Sequence, residues 1–179
     1  MLFVAAIVLG LVFGLLTGGR LDNVARLRFR RPWLLVAAVL VREVILLTPL
    51  GAYDGARFVY IAALIVILTW TVLHWPVARG VWLVSAGIVL NLVVIVLNGE
   101  RMPVAPDLAG SLLTRGPVGQ YTVMDATTRL NLLGDWIAFY PVREAYSPGD
   151  VLIAIGLAIV VFSAARNPRP YREKELTPP

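Results

Sequence analysis

Two Gly-Asp pairs are the part of this sequence best suited to carry chemistry. Asp135 follows Gly134, and Asp150 follows Gly149 fifteen residues later, where the last apolar segment begins. Two carboxyl groups held within hydrogen-bonding reach cannot both ionise easily, so one of them keeps its proton. The ionised group can activate water while the protonated group donates to a carbonyl oxygen, which is general acid–base hydrolysis. Asp135 and Asp150 are therefore the candidate catalytic residues.

Both aspartates also have a purely structural interpretation. Ser147 can be the N-cap of the last helix, Pro148 suits its first position, and Asp150 then completes a capping box with a favourable helix dipole. Asp135 can be a solvated turn residue after its glycine. The sequence leaves both interpretations open, and the deciding question is whether Asp135 folds back to meet Asp150.

Composition excludes several other chemistries. The chain has 179 residues, of which 59% are hydrophobic and 15% are charged, whereas an average soluble domain has about 25% charged residues. It has no cysteine and one histidine, which excludes disulfides, thiol catalysis and a multi-histidine metal site within one chain. No cofactor or metal is predicted. The net charge of +5 is not a nucleic-acid signal, because the basic residues flank apolar segments.

The hydrophobic residues are concentrated in runs long enough to cross a bilayer core of about 30 Å. The predicted fold is an all-α integral membrane protein, a bundle of five transmembrane helices. A turn-rich extracytoplasmic segment over 98–149 lies between helices four and five, and a mobile cytoplasmic tail over 167–179 follows the membrane domain of residues 1–166. The predicted spans are approximately 1–17, 32–48, 58–73, 81–97 and 151–165.

Arginine placement predicts the orientation. The loop after the first span, the short third-to-fourth connection and the tail hold most basic residues, and all three lie on one side if five spans cross. The positive-inside rule assigns that side to the cytoplasm. The N-terminus is then outside and the C-terminus is cytoplasmic. The residues concerned are Arg20, Arg26, Arg28, Arg30, Arg31, Arg79, Arg166, Arg169, Arg172 and Lys174.

Within the extracytoplasmic segment, one short helix is predicted. Asp125 can cap a helix over Ala126 to Leu133 that ends at Gly134. The surrounding prolines and glycines favour turns, and the aromatic residues that follow Asp135 are typical of a membrane interface. The segment is therefore expected to lie on the outer surface of the membrane.

Polar residues inside or beside the spans are further candidates. Arg42 and Glu43 lie near the middle of the second span, where an ionised group must face protein or a wet cavity. They can form an ion pair with another span, handle a substrate or proton, or lie nearer the interface in a shorter span. Asn91 and Asn98 share one face of the fourth span and favour interhelical hydrogen bonds, and Arg101 follows at the interface.

The first span carries Gly10, Gly14 and Gly18 at a spacing of four. This places the three glycines on one helix face, where they permit close approach of another helix. That helix can belong to the same chain, to a second copy of it, or to another membrane protein. The predicted partners are therefore the lipid bilayer and, through the first helix, a homo-oligomer or a membrane protein.

Three motifs with gaps extend over the second half of the chain: Asn98-Gly99-x-x-Met102-Pro103-Val104, Thr128-Arg129-Leu130-x-x-Leu133-Gly134-Asp135-x-Ile137 and Ser147-x-Gly149-Asp150-Val151. Together with Gly18-Gly19-Arg20 and its basic loop, they resemble an uncharacterised bacterial membrane family, domain of unknown function 5317. The resemblance implies a multi-pass protein of the bacterial inner membrane without an assigned activity.

A second, weaker resemblance is to lipoprotein signal peptidase, an aspartic peptidase of bacterial membranes. It is carried by Asp135-Trp136-Ile137-x-Phe139 and by Asp150 opening a final span that contains Gly156. Ser147 stands where that enzyme has an asparagine. The resemblance implies that Asp135 and Asp150 are a catalytic pair.

Three functions are consistent with these observations. The first is a structural or accessory component of the membrane with no chemistry of its own. The second is an intramembrane aspartyl peptidase that activates water with Asp135 and Asp150. The third is a component of a transporter, suggested by Arg42, Glu43 and the two asparagines.

Overall fold

Among the described residues, five long helices contain the apolar segments, and a short helix lies in the arginine-rich loop. The computed structural model describes residues 1–110, 113, 119–139 and 144–166, except the side chain of Leu46. The predicted tail over 167–179 lies outside the described residues. The helices are α1 (Leu2–Leu16), α2 (Leu21–Ala25), α3 (Pro32–Leu47), α4 (Ala56–Leu73), α5 (Val81–Leu97) and α6 (Pro148–Arg166).

The long helices pack in a row that does not follow their order in the chain. α1 packs on α6, α6 on α5, α5 on α4, and α4 on α3. The order in space is therefore α1, α6, α5, α4, α3. α1 and α3 lie at opposite ends of this row, and they share no extensive interface in the described part of the chain.

The middle of the row holds the apolar core. Ile88, Val94 and Ile95 of α5 are each at most 1% exposed. They belong to one cluster with Tyr60 and Leu64 of α4. α5 is thus the central helix, since it contacts both the α4 side and the α6 side of the row.

Glycines bring α1 close to α6. A Cβ added at Gly10 would overlap the backbone carbonyl oxygen of Ala158, and one at Gly14 would lie 2.8 Å from the Cβ of Ala165. Gly18 has a φ of 90° and open space around it, so it does not share this contact. The predicted three-glycine face is therefore wrong at Gly18, because the helix ends at Leu16. A partner outside the chain stays a prediction.

Length and composition suggest membrane association. Among the described residues, α4 and α6 are long and apolar enough to cross a membrane, with 18 and 19 residues. α1 and α5 are shorter apolar helices. Each predicted span largely coincides with one long helix. That all five cross a membrane stays a prediction.

The segment between α5 and α6 contains short strands as well as turns. β1 (Met102–Val104) pairs in parallel with β2 (Tyr121–Val123), and β3 (Ile137–Phe139) pairs antiparallel with β4 (Glu144–Tyr146). The chain is therefore mostly helical rather than all-α. Three-residue strands leave little periodic signal, because alternation needs a longer run to be recognised.

The predicted helix over residues 126–133 is wrong. Asp125 does accept backbone hydrogen bonds, from Thr127 at 2.7 Å and from Thr128 at 3.1 Å, but a turn follows instead of a helix. The Thr128 hydroxyl donates back to the carbonyl oxygen of Asp125 at 2.9 Å. Such local side-chain bonds compete with helix formation. Only a single 3-10 turn over Asn131–Leu133 follows.

We predict that Gly10→Ala destabilises the fold by about 1–3 kcal/mol, because the added methyl group overlaps the backbone of α6. Thermal unfolding of the purified full chain in detergent measures this effect. Gly55→Ala is the matched control, since a Cβ there meets nothing within 4 Å. Equal melting temperatures for the two variants would contradict the packing of α1 on α6.

Candidate functional site

A polar cavity lies where α3 ends and α6 begins, beneath the segment that joins α5 to α6. Its volume is about 450 Å³. Both candidate aspartates line it, together with side chains from α3, α4 and α5. The polar lining residues are Arg42, Glu43, Tyr60, Asn91, Tyr121, Asp135, Glu144, Tyr146 and Asp150.

The start of α6 is the predicted capping box. The Asp150 backbone N–H donates to the Ser147 hydroxyl oxygen at 2.9 Å, and the Ser147 N–H donates to Asp150 Oδ2 at 3.1 Å. Pro148 is the first helical residue. Each side chain thus satisfies a backbone donor of the other residue. The capping prediction is confirmed, and it fixes the Asp150 carboxylate at the edge of the cavity.

Asn91 of α5 connects this cap to the central helix. Its Nδ2 donates to Asp150 Oδ1 at 3.0 Å, and its Oδ1 accepts from the Ser147 hydroxyl at 2.8 Å. A Cβ at Gly149 would overlap the Asn91 amide. The glycine before Asp150 therefore makes room for Asn91, and both oxygens of the carboxylate accept one N–H hydrogen bond.

Asp135 reaches the same cavity from the other side. Its N–H donates to the Pro103 carbonyl oxygen at 2.8 Å, and its own carbonyl oxygen accepts from the Ala105 N–H at 2.9 Å. This pairing adds Asp135 to the edge of β1. A Cβ at Gly134 would lie 2.7 Å from the Pro103 oxygen, so the close approach requires glycine. In each Gly-Asp pair, the glycine allows another group to come close: the Pro103 carbonyl oxygen at Gly134 and the Asn91 amide at Gly149.

The Asp135 side chain is buried, so the solvated-turn interpretation is wrong. The residue is 6% exposed, and its Oδ1 has no hydrogen-bond partner in the described part of the chain. Burial raises the pKa of Asp135 well above its usual value, and the negative charge of Asp150 raises it further, against the opposing charge of Arg42. Asp135 therefore keeps its proton where an ordinary aspartate is ionised. Among the described residues, no direct hydrogen bond joins the two carboxyl groups.

Arg42 and Glu43 line the cavity and form an ion pair with each other. Of the alternatives for these two residues, an ion pair with another span does not occur among the described residues. The Arg42 guanidinium also lies 5.6 Å from the centre of the Tyr60 ring. Arg42 is ten residues after the start of α3 at Pro32 and five residues before its end at Leu47, so it lies nearer the middle of the helix than the end.

The remaining polar candidates lie outside the cavity. Asn98 bonds the backbone of Arg129, accepting from its N–H at 2.7 Å and donating to its carbonyl oxygen at 2.9 Å. Arg101 pairs with Asp54 at 2.5 Å and donates to the Gly119 carbonyl oxygen at 3.2 Å. These contacts fasten the loops above the helices to one another.

Three tyrosines of the cavity were not predicted from the sequence. Tyr60 lies within an apolar helix, where a tyrosine is typical of a core position. Burial raises the pKa of Tyr121, and burial together with Glu144 raises the pKa of Tyr146 to about 12. Both phenols are thus protonated donors at neutral pH. In the sequence, nothing separates these two tyrosines from the aromatic residues that are expected at a membrane interface.

No group of three or more His, Cys, Asp or Glu side chains that could hold a metal ion occurs in the part of the chain that the structure describes. The arrangement instead combines a neutral carboxyl group with a hydrogen-bonded carboxylate in one cavity. Opposed environments of this kind are the usual setting for an acid and a base at one site.

Fold and cavity together define a mostly helical protein with apolar helices and a cavity at one end that is lined by two aspartates. Residues 26–162 match the family of unknown function DUF5317, and the chain belongs to that family. The resemblance drawn from the three motifs is confirmed, although Gly18-Gly19-Arg20 precedes the matched residues. No curated protein and no solved structure matches the chain, so the similarity to lipoprotein signal peptidase is not supported.

We predict that Ser147→Ala lowers the free energy of unfolding by about 1–2 kcal/mol, because the variant loses the helix cap and leaves the Asn91 oxygen without its donor. Ser163→Ala in the same helix is the control, since that hydroxyl bonds a carbonyl oxygen of its own helix. Denaturant or thermal unfolding of both variants measures the difference. A Ser147→Ala variant as stable as the control would contradict the bridge.

We predict that Asp135→Asn changes how stability depends on pH. The folded-state pKa of Asp135 is raised, so the folded state holds a proton that the unfolded chain loses above about pH 4. The stability that Asp135 contributes to the wild type is fully present below about pH 4 and is lost as the pH rises through the folded-state pKa of Asp135. An asparagine cannot ionise, so the variant lacks this loss.

Melting temperatures of wild type and Asp135→Asn between about pH 4 and pH 8 test the prediction. The variant should gain stability relative to wild type as pH rises, by about 2–4 °C for each kcal/mol. Asp107→Asn, at an exposed position of the same segment, is the matched control substitution. Parallel curves for Asp135→Asn and wild type would show that Asp135 titrates normally.

Proposed function

We propose that this chain is a multi-pass protein of the bacterial inner membrane with five spans, an outside N-terminus and a cytoplasmic C-terminus. Large apolar side chains are exposed on helices besides the two of spanning length, such as Val4 of α1, Leu40 of α3 and Val96 of α5. A soluble protein rarely exposes so much apolar surface on neighbouring helices. Arginine placement supports the orientation, and the cavity then opens at the outer face.

Within that membrane, the proposed activity is hydrolysis by an aspartate pair. The observation that carries this proposal is one cavity lined by two carboxyl groups with different surroundings. Asp135 is buried with an unpartnered oxygen and a raised pKa, whereas each oxygen of Asp150 accepts an N–H hydrogen bond. An unpaired polar atom in a protein interior is costly. A substrate carbonyl oxygen bonded to Asp135 removes that cost.

The two aspartates have separate roles in this reaction. Asp150 takes a proton from a water molecule as the water oxygen bonds to the substrate carbonyl carbon, while Asp135 gives its proton to the carbonyl oxygen. In the resulting tetrahedral intermediate, the proton on Asp150 passes to the leaving nitrogen or oxygen. The carbon–leaving-group bond breaks, and Asp135 recovers a proton as the new carboxylic acid forms. One water is consumed for each amide or ester cleaved.

The supporting groups follow from the same contacts. Asn91 holds the Asp150 carboxylate through its amide while each carboxylate oxygen keeps a lone pair for water. The positive charge of Arg42 lies in the same cavity, where it stabilises negative charge developing on a substrate oxygen. Asn91 is thus a positioning residue.

A second candidate is a structural or accessory membrane component without chemistry. It is favoured by one observation, that the hydrogen bonds of Asp150 to Ser147 and Asn91 secure the start of α6 whether or not a substrate binds. This candidate does not explain why the buried Oδ1 of Asp135 lacks a hydrogen-bond partner among the described residues. The transporter hypothesis stays a prediction that rests on Arg42 and Glu43 in the cavity.

Hydrolysis can be tested without knowing the substrate. Purified full-length protein is incubated with extracted bacterial membranes in H₂¹⁸O, because hydrolysis places one ¹⁸O atom in each new carboxyl group. Mass spectrometry then identifies labelled products. We expect products that depend on the protein and that fall about 10²- to 10⁴-fold in Asp135→Asn and in Asp150→Asn, since an amide can neither donate the acid proton nor accept one from water.

Asp107→Asn is the matched control, since it removes an exposed aspartate of the same segment and should leave labelling unchanged. Folding of each variant is checked by its melting temperature. If no ¹⁸O-labelled product depends on both cavity aspartates in folded protein, the hydrolase proposal is wrong and the accessory role is favoured.

A further inference from the structure

We infer that the substrate is an acyl-chain lipid of the outer leaflet, which enters the cavity sideways between α1 and α3. This inference rests on the proposed hydrolysis and adds the substrate class. The bond to be cleaved is then an ester or amide close to the junction of headgroup and acyl chain.

The route follows from the order of helices in space. Because α1 and α3 are the two ends of the row, no helix among the described residues packs between them. Both nevertheless line the cavity, α1 through Phe3 and α3 through Arg42, Glu43 and Leu47. The row therefore curves around the cavity, and no helix of the described residues closes the side between α1 and α3, where β4 contacts the start of α1 through the Met1–Glu144 ion pair.

Apolar side chains lie on that side of the cavity beside the Met1–Glu144 ion pair, whereas two carboxyl groups line its interior. Phe3 and Leu47 line the cavity at this side, and Leu47 is 80% exposed. Along α3, Val44 and Leu40 continue the exposed apolar surface away from the cavity. A molecule that fits both the interior and the side between α1 and α3 has a polar group that contacts the carboxyl groups. It also has a hydrocarbon chain that lies in the gap between these two helices. A lipid has this form, and a water-soluble peptide or sugar does not.

Depth in the fold agrees with the position of an ester in a lipid. Asp150 is the third residue of α6, and Asn91 lies six residues before the end of α5 at Leu97. At about 1.5 Å per residue, both lie within roughly 10 Å of the helix ends. In a membrane this is the boundary of headgroups and acyl chains. The cavity of about 450 Å³ lies in the size range of small-ligand sites, so it takes the polar end and leaves the chains in the gap.

The experiment traps whatever occupies the cavity. Tyr121, which lines the cavity wall, is replaced by the photoreactive p-benzoylphenylalanine in the full chain, reconstituted into vesicles of phosphatidylethanolamine and phosphatidylglycerol. After illumination, mass spectrometry should find a lipid adduct at position 121. Replacement of Tyr53, an exposed tyrosine outside the cavity, measures background labelling. Adduct at 121 no higher than at 53 would overturn the inference.

A second pair of variants tests the route. Leu47→Trp adds bulk in the gap and should lower the adduct at position 121 at least several-fold, whereas Leu97→Trp adds the same bulk at the exposed end of α5 and should not. Equal adduct in both variants would overturn entry between α1 and α3. A second copy of the chain trapped at position 121 would instead show that a protein closes this side, and would also overturn it.

The two proposals fail separately. Asp150→Asn should retain the lipid adduct while losing ¹⁸O incorporation, because binding in the gap does not need the base. Lipid adduct without any ¹⁸O-labelled product would refute hydrolysis and keep a lipid-binding cavity. Labelled products without lipid adduct would keep hydrolysis and refute the lipid as its substrate.

Discussion

The amide of Asn91 is the contact on which the cavity depends. This side chain of the central helix bonds both members of the α6 cap, the Ser147 hydroxyl and the Asp150 carboxylate. Its bond to Asp150 is the side-chain hydrogen bond that ties the carboxylate at the start of α6 to α5. Gly149 is constrained by the same amide, since any larger residue overlaps it. The Asn91 amide therefore contributes both to the capping of α6 and to the packing of α5 against α6.

Asp135 differs from Asn91, because its backbone is hydrogen-bonded while an oxygen of its side chain is not. Its backbone is well satisfied by the edge of β1, and its side chain is buried with an oxygen that bonds nothing among the described residues. Burial of a carboxyl group is tolerated because the group keeps its proton, which the nearby charge of Asp150 reinforces. Pairing with β1 thus holds the polar side chain of Asp135 in a buried position, which is unfavourable for a carboxyl group. Such conflict between local preference and global fold is typical of functional positions.

The sequence predicted the helices well because long apolar runs and the Ser147-to-Asp150 capping box are local signals. It left open whether Asp135 reaches Asp150, and the structure places both residues on the lining of one cavity. It could not predict the strand pairing that buries Asp135, since β1 is three residues long and lies more than thirty residues earlier. The partner of Asn98 was misjudged because a polar side chain at a helix end has several partners in reach, and only the folded loops select one.

The pairing of α1 with α6 has a consequence for how this protein is made. The first and last long helices described are neighbours, so the glycine face of α1 does not reach its partner in this chain until α6 has been synthesised. Contacts so distant in sequence form late and slowly. Until then α1 is a solitary apolar helix that must be held by lipid or by another protein. The cavity wall that contains Phe3 is accordingly completed last.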